Sequence, residues 1–170
     1  NPTPVNVTVT VNPSPLLSST LTPPAICSGT TFTYTPTSNN NNASFTWTRA
    51  AVNGISNAAA NGMGALSEVL INTTADTVAV VYGYVVSASG CSDPTPKNVT
   101  VLVKPLPTLS STLSPAAICS GTAFGYTPTS ATEGSTFNWS RAAVQGISNV
   151  AATGTGNPNE VLIDTTSAPV

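Results

Sequence analysis

The chain is 170 residues long, with 6% charged residues, a formal net charge of -2 and no histidine. Such a composition excludes a nucleic-acid binder, which needs a basic patch to displace condensed counterions, and it leaves a surface built mainly from Thr, Ser and Asn. At 40% hydrophobic residues there is enough apolar material for a core, and the longest nearly unbroken apolar run, Val78 to Val86, is far below the ~20 residues of a membrane helix.

In chain order, Val5, Val7, Val9 and Val11 alternate with Asn6, Thr8 and Thr10. That period of two predicts a strand with one apolar face. Pro13 and Pro15 then mark a short, stiff junction. A first strand is expected over Leu17 to Leu21, interrupted by Pro23 and Pro24. Gly29 turns the chain into Thr31 to Thr35, where Phe32 and Tyr34 alternate with Thr. After a polar tip, Asn39 to Asn42, the alternation of Phe45 and Trp47 with Ser44, Thr46 and Thr48 predicts another half-buried strand. Ala50 to Ala65 fits either a short helical turn or two weak edge strands. Strands follow over Glu68 to Asn72 and Thr77 to Ser87. Both faces of the latter are apolar, which predicts a central position. Gly90 turns the chain into a last strand, Asn98 to Val103.

The sequence ICSGTTFTYTPTS at Ile26 to Ser38 returns as ICSGTAFGYTPTS at Ile118 to Ser130, 92 residues later. Overlaying residues 1 to 78 on 93 to 170 gives 49 identities in 78 positions. This is one module in tandem copies. On that frame residues 1 to 12 are the last strand of a preceding repeat, 13 to 104 a whole repeat, and 105 to 170 an incomplete next one, so the chain reads as a stretch of a longer array. About seven short strands in 92 residues, with turn signals every 8 to 12, predict an all-β fold of tandem immunoglobulin-like sandwiches.

Three cysteines fit an oxidising compartment once the repeat is recognised. Cys27 and Cys91 belong to one copy, and the partner of Cys119 is expected beyond residue 170. A bond between Cys27 and Cys91 would contribute ~4 kcal/mol by the chain-entropy model, and it is the expected pairing, since one pair per repeat is the usual framework of small secreted modules. In a strict immunoglobulin topology, however, these cysteines lie at opposite poles, and a disulfide needs Cα atoms within ~7 Å. Either the first segment crosses between sheets and carries Cys27 toward the last strand, or the bond joins Cys27 to the counterpart of Cys91 in the next copy.

Arg49 and Glu68 recur as Arg141 and Glu160, which predicts a structural ion pair at the rim of each core. Trp47 and Trp139, Phe32 and Phe124, and Tyr34 and Tyr126 alternate with small polar residues and are expected to anchor the core rather than to form sugar-binding platforms. Catalysis is not expected. Glu68 and Asp76 would be the glycosidase pair on offer, but Asp76 becomes Ala168 in the next copy, and without histidine there is no Ser-His-Asp arrangement. Two cysteines per copy build no zinc site, and Asp76, Asp93 and Glu133 are too scattered for a calcium loop. No cofactor or metal is expected.

The motifs ICSGTTFTYTPTS, FTWTRAAVNGISN, the Gly62-x-Gly64 pair, EVLINTT and the Gly90-Cys91 before the last strand resemble the PKD-like, immunoglobulin-like repeats of giant Bacteroidota cell-surface proteins. Gliding-motility adhesins exported by type IX secretion carry similar repeats. The resemblance implies an extracellular, surface-anchored filament or adhesin. Its expected partners are neighbouring repeats of the same chain, other filament chains, or extracellular glycans and surfaces, without nucleic acid and without membrane insertion. It also makes Thr77, in Asp76-Thr77-Val78, and Thr165, in Asp164-Thr165-Thr166, candidate O-glycosylation sites. Asn6, Asn42, Asn72, Asn98 and Asn138 sit in N-x-S/T sequons, which carry little weight in a bacterial protein. Two function classes follow: a structural stalk giving reach and stiffness, or an array of weak glycan- or surface-binding modules acting by avidity. The recurring aromatics fall on predicted core faces while the tip at Asn39 to Asn42 drifts between copies, which favours the stalk.

Overall fold

The computed structural model describes residues 2–170. The chain divides into two compact units, Asn1–Pro105 and Leu106–Val170. Strands and turns build both, and no helix occurs among the described residues.

Seven strands make the first unit: β1 (Ile26–Cys27), β2 (Thr31–Tyr34), β3 (Ser44–Arg49), β4 (Ala60–Met63), β5 (Leu66–Val69), β6 (Val78–Ala88) and β7 (Cys91–Lys104). They form a five-stranded sheet in the order β1-β7-β6-β3-β4 and a two-stranded sheet of β2 and β5. Every pairing is antiparallel except that of β1 with β7, which is parallel. The inward residues of the two sheets, Phe32, Tyr34, Leu66, Leu70, Val80, Tyr82, Tyr84, Val99, Val101 and Val103, form one buried cluster. Alternation of period two produces this directly, because successive side chains leave a strand on opposite faces.

Strand β6 lies laterally in the middle of its sheet, between β7 and β3. Its second apolar face is not covered, however: Ala79 and Val81 are exposed and Gly83 and Val85 half-buried. Central placement therefore came from ladder pairing on both edges, not from burial of both faces. Ser89, with φ 50°, and Gly90, with φ 78°, form the two-residue turn between β6 and β7. Left-handed conformations at both central positions match the twist of an antiparallel hairpin.

Several strand expectations are corrected. The last strand starts at Cys91 rather than Asn98, because its register shifts between Tyr84 and Val86 and lets Pro94 to Pro96, unable to continue the ladder, bulge out. Leu17 to Leu21 is no strand; it is reduced to an isolated bridge between Leu17 and Ser38. Ala50 to Ala65 contains a turn, a bridge from Ile55 to Asn72, and one edge strand, β4. Residues 2 to 11 form no strand either, and Val5, Val7, Val9 and Val11 are 80–93% exposed. Alternation alone does not make a strand: the equivalent residues of β7 are held between β1 and β6, and residues 2 to 11 have neither kind of neighbour in the first unit.

The second unit contains β8 (Ala123–Gly125), β9 (Asn138–Arg141), β10 (Ala152–Thr155) and β11 (Asn159–Val161). β8 pairs with β11 and β9 with β10, both antiparallel. These are the pairings of β2 with β5 and of β3 with β4, moved on by 92 residues. Phe124, Tyr126 and Trp139 are half-buried here, because this unit contains no counterparts of β6 and β7 to close over them.

Candidate functional site

The recurring arginine and glutamate meet across the sandwich. Arg49 ends β3 in the five-stranded sheet, and Glu68 stands in β5 of the two-stranded sheet. Arg49 donates from Nε to Glu68 Oε2 at 3.1 Å and from Nη2 to Glu68 Oε1 at 2.6 Å, the parallel fork geometry of a strong guanidinium-carboxylate pair. Nη2 also donates to the Ala58 carbonyl at 2.7 Å and Nη1 to the Ala50 carbonyl at 3.2 Å. Tyr82, from β6, donates its hydroxyl to Glu68 Oε2 at 2.6 Å, and its ring lies 5.9 Å from the guanidinium carbon. The Arg49 side chain is 1% exposed and that of Glu68 17%.

This arrangement is turned inward. Glu68 receives three hydrogen bonds, and the guanidinium has spent four of its five N–H groups within the unit. Most of the hydrogen-bonding capacity of the pair thus serves the sandwich itself. Burial, reinforced by the hydrogen bond to Glu68, pushes the Tyr82 phenol far above its ordinary value. Burial also pushes Tyr84 up to about 12, with a smaller contribution from the Tyr34 hydroxyl beside it.

The second unit repeats the pair. Arg141 donates to Glu160 from Nε at 3.0 Å and from Nη2 at 2.9 Å, and to the carbonyls of Ala142 and Val150. The Arg141 side chain is 19% exposed against 1% for Arg49. The hydrogen bond from Arg141 holds the Glu160 carboxyl below its usual range.

Around the pair stand the aromatic residues. Phe32 and Tyr34 are buried. Trp47 is half-buried, edge-on to Tyr82 at 5.7 Å between ring centroids, and its indole lies flat on Gly62 of the neighbouring strand β4. A Cβ at Gly62 would stand 2.6 Å from Trp47 Cζ2, so only glycine admits the ring; Gly154 serves Trp139 in the same way. Tyr34 donates to the Thr20 carbonyl at 2.9 Å and meets the Ser19 hydroxyl at 2.6 Å. Tyr126 repeats this with Thr112 and Ser111. Each tyrosine thereby pins the segment before β1, or its equivalent, to the sheet.

The sequence reading missed Asn72 as a structural residue. It is buried, donates from Nδ2 to the carbonyls of Asp76 and Val103, and accepts at Oδ1 from the amide and hydroxyl of Thr74. Its amide group is thus occupied, and the sequon there is no modification site. Asn57 was missed as well: its side chain donates to Val69 O and accepts from Ile71 N, and Asn149 does the same with Val161 and Ile163. The recurrence of Asn57 as Asn149 was the available signal. Thr77 and Thr165 are exposed.

The expected bond between Cys27 and Cys91 is absent, and all three cysteines are free thiols. β1 does cross to the last strand, but it joins in parallel, with Cys27 opposite Lys104. Cys91 is the first residue of that same strand. The 13 residues from Cys91 to Lys104 at ~3.3 Å each place the two cysteines ~40 Å apart. That is far beyond the ~7 Å a disulfide spans.

Neither the curated proteins nor the solved structures gave a match to this chain. Residues 24–107 match the family model of the PKD-like domain. They hold all seven strands of the first unit, so that unit is similar to a PKD-like domain, and its fold is an all-β sandwich of immunoglobulin-like kind.

Proposed function

We propose that this chain is a structural stretch of a long extracellular filament or stalk of a surface adhesin, in which stacked copies supply reach and stiffness and no catalysis. A PKD-like domain points to an extracellular structural or adhesion module. The observation that carries the finer reading is where the recurring residues are spent. Arg49, Glu68, Phe32 and Tyr34 all turn inward in the first unit, and four donors of the arginine and every contact of Glu68 serve the sandwich itself. The exposed tip at Asn39 to Asn42 becomes Ala131 to Gly134 in the next copy, so the surface that a common ligand would read is not held constant. Placement in a Bacteroidota adhesin of the gliding-motility kind, and export by type IX secretion, rest on the resemblance of the motifs. Partners are then neighbouring copies of the same chain and adjacent filament chains, and Thr77 and Thr165 remain candidates for O-glycans that would shield a surface poor in charge.

The test is length. Chains with two, four and six whole copies should grow linearly in contour length by electron microscopy and small-angle scattering. They should show no glycan binding that strengthens with copy number. Compact, length-independent particles would refute the stalk, and glycan affinity rising steeply with copy number would favour the avidity array instead.

A further inference from the structure

Among the described residues of the first unit one strand pairing is parallel, and it joins the segment that enters the unit to the strand that leaves it. The entering segment starts beside the β6–β7 turn, where the Asn12 side chain donates to the Ser89 carbonyl at 3.0 Å. Its first half is tied to β2 and the chain that follows it: Leu17 bridges Ser38, the Ser18 amide donates to the Thr37 carbonyl at 2.8 Å, and the Tyr34 hydroxyl holds Ser19 and Thr20. Its second half changes sheets and runs beside β7. There the Thr100 amide donates to the Leu21 carbonyl at 2.8 Å, Ile26 and Cys27 pair with Val103 and Lys104, and the Ser28 amide donates to the Lys104 carbonyl at 2.8 Å. Chain entry and chain exit therefore lie at opposite ends of β7, separated by ~40 Å along its 14 residues at ~3.3 Å each.

A buried brace crosses the end of this patch. Asn72, just after β5, donates from its backbone amide to Ser28 Oγ at 2.9 Å and from Nδ2 to the Val103 carbonyl at 2.8 Å, so one residue grips both strands. Ser28, Asn72 and Val103 are 5%, 8% and 0% exposed, which keeps water away from these bonds. Water takes over the donor and acceptor of an exposed hydrogen bond as it opens, whereas a buried bond breaks against the desolvation of both groups.

From this arrangement we propose that the entering segment and β7 form a mechanical clamp that keeps the unit folded when tension runs along the chain. The proposal rests on the stalk reading, because a filament held at one end and loaded at the other pulls its copies in this way. Tension at the two chain ends draws the entering segment toward the pole of the β6–β7 turn and β7 toward the opposite pole. Parallel neighbours pulled in that manner slide past one another, and the contacts between them share the load and must fail together. An antiparallel pairing of the same segments would place entry and exit at one pole, where the same tension opens the ladder one hydrogen bond at a time. β6 adds to the resistance, since its ladder with β7 runs from Val78 and Val103 to Ala88 and Cys91 and is sheared along the same axis. Forced unfolding is governed by the unfolding rate and not by equilibrium stability, so the direction of pairing matters here independently of how much surface is buried.

Single-molecule pulling of the 170-residue chain tests the clamp, with Cys27, Cys91 and Cys119 replaced by serine and handles on introduced cysteines. Ser14→Cys with Leu106→Cys loads the unit along its axis. Thr30→Cys with Leu106→Cys puts both handles at the pole where β1 meets the end of β7, so that β7 peels away from its neighbours. All three positions are exposed. The fold is the same in both geometries, and only the direction of loading differs. At one loading rate the axial geometry should rupture at ~2-fold higher force or more, since several contacts share what peeling loads singly, with a step of about 300 Å as the unit extends. Equal rupture forces, or a stronger peeling geometry, overturn the clamp and leave the stalk reading intact. Thr100→Pro removes the amide that donates to Leu21 and should lower the axial force toward the peeling value, while Thr100→Ala keeps that amide and should not. An axial force unmoved in folded Thr100→Pro chains also overturns the clamp. Failure of the stalk reading shows elsewhere, as compact particles of constant size in the copy-number series.

Discussion

Replacing Arg49 with alanine removes the cation from a pair that staples the two sheets. Glu68 then keeps only the Tyr82 hydroxyl, and the carbonyls of Ala50 and Ala58 lose their donors. Arg49 is 1% exposed, so water does not replace what is lost. Removing one partner of a buried ion pair costs ~3–5 kcal/mol, chiefly because the remaining charge is stranded. For a domain whose whole stability is of order 5–15 kcal/mol that is a large share, equivalent to a fall in Tm of at least ~12 °C at the usual 4–8 °C per kcal/mol. Urea unfolding with Trp139→Phe as background isolates Trp47 as the fluorescence reporter of the first unit. The double variant Arg49→Ala with Glu68→Ala should be less destabilised than the sum of the single changes, since it strands no charge. A loss below ~1 kcal/mol for Arg49→Ala would refute the stapling role and reopen the pair as a ligand site.

Gly62→Ala places a Cβ 2.6 Å from the Trp47 ring. It should cost ~1–3 kcal/mol by overpacking, with a shift in the tryptophan emission that reports the displaced indole; unchanged emission and stability would contradict the contact. Asn72→Ala leaves the carbonyls of Asp76 and Val103 and the amide of Thr74 without partners, for an expected loss of ~1–3 kcal/mol in the same denaturation assay. Alkali should destabilise the first unit through Tyr82 and Tyr84. Both phenols titrate above the ordinary value of 10.0 when folded, so the unfolded chain releases its protons first. The stability they confer is whole below about pH 10 and is lost at up to ~1.4 kcal/mol per pH unit per group above it. Denaturation midpoints that stay flat from pH 9 to 11.5 would contradict their burial as neutral phenols. The 170-residue chain purified without reductant should label with maleimide at Cys27, Cys91 and Cys119 alike; protection of Cys27 together with Cys91 would contradict the separation along β7.

What the sequence determined by itself is what can be decided over a few residues or by comparing equivalent ones. Alternation at Phe32 and Tyr34, at Phe45 and Trp47, and along Val78 to Val86 marks strands, because a strand sends successive side chains to opposite faces whatever it pairs with. The return of Arg49 as Arg141 and of Glu68 as Glu160 singles out the charged pair, because in a chain with so little charge a recurring ion has few explanations besides its recurring partner. The same local logic failed at residues 5 to 11, where the pattern is strand-like but no ladder holds it. Tertiary structure decided the rest. β1 joins the last strand in parallel, pairing Ile26 with Val103. No periodicity near Ile26 encodes that contact across the chain, and it alone sends Cys27 to the opposite end of β7 from Cys91. The third member of the charged pair, Tyr82, comes from β6, and the roles of Gly62 and Asn72 depend on a ring and on carbonyls that other strands bring to them. Strand identity is a property of a segment, whereas register, direction and the partners of a buried polar group belong to pairs of segments far apart in the chain.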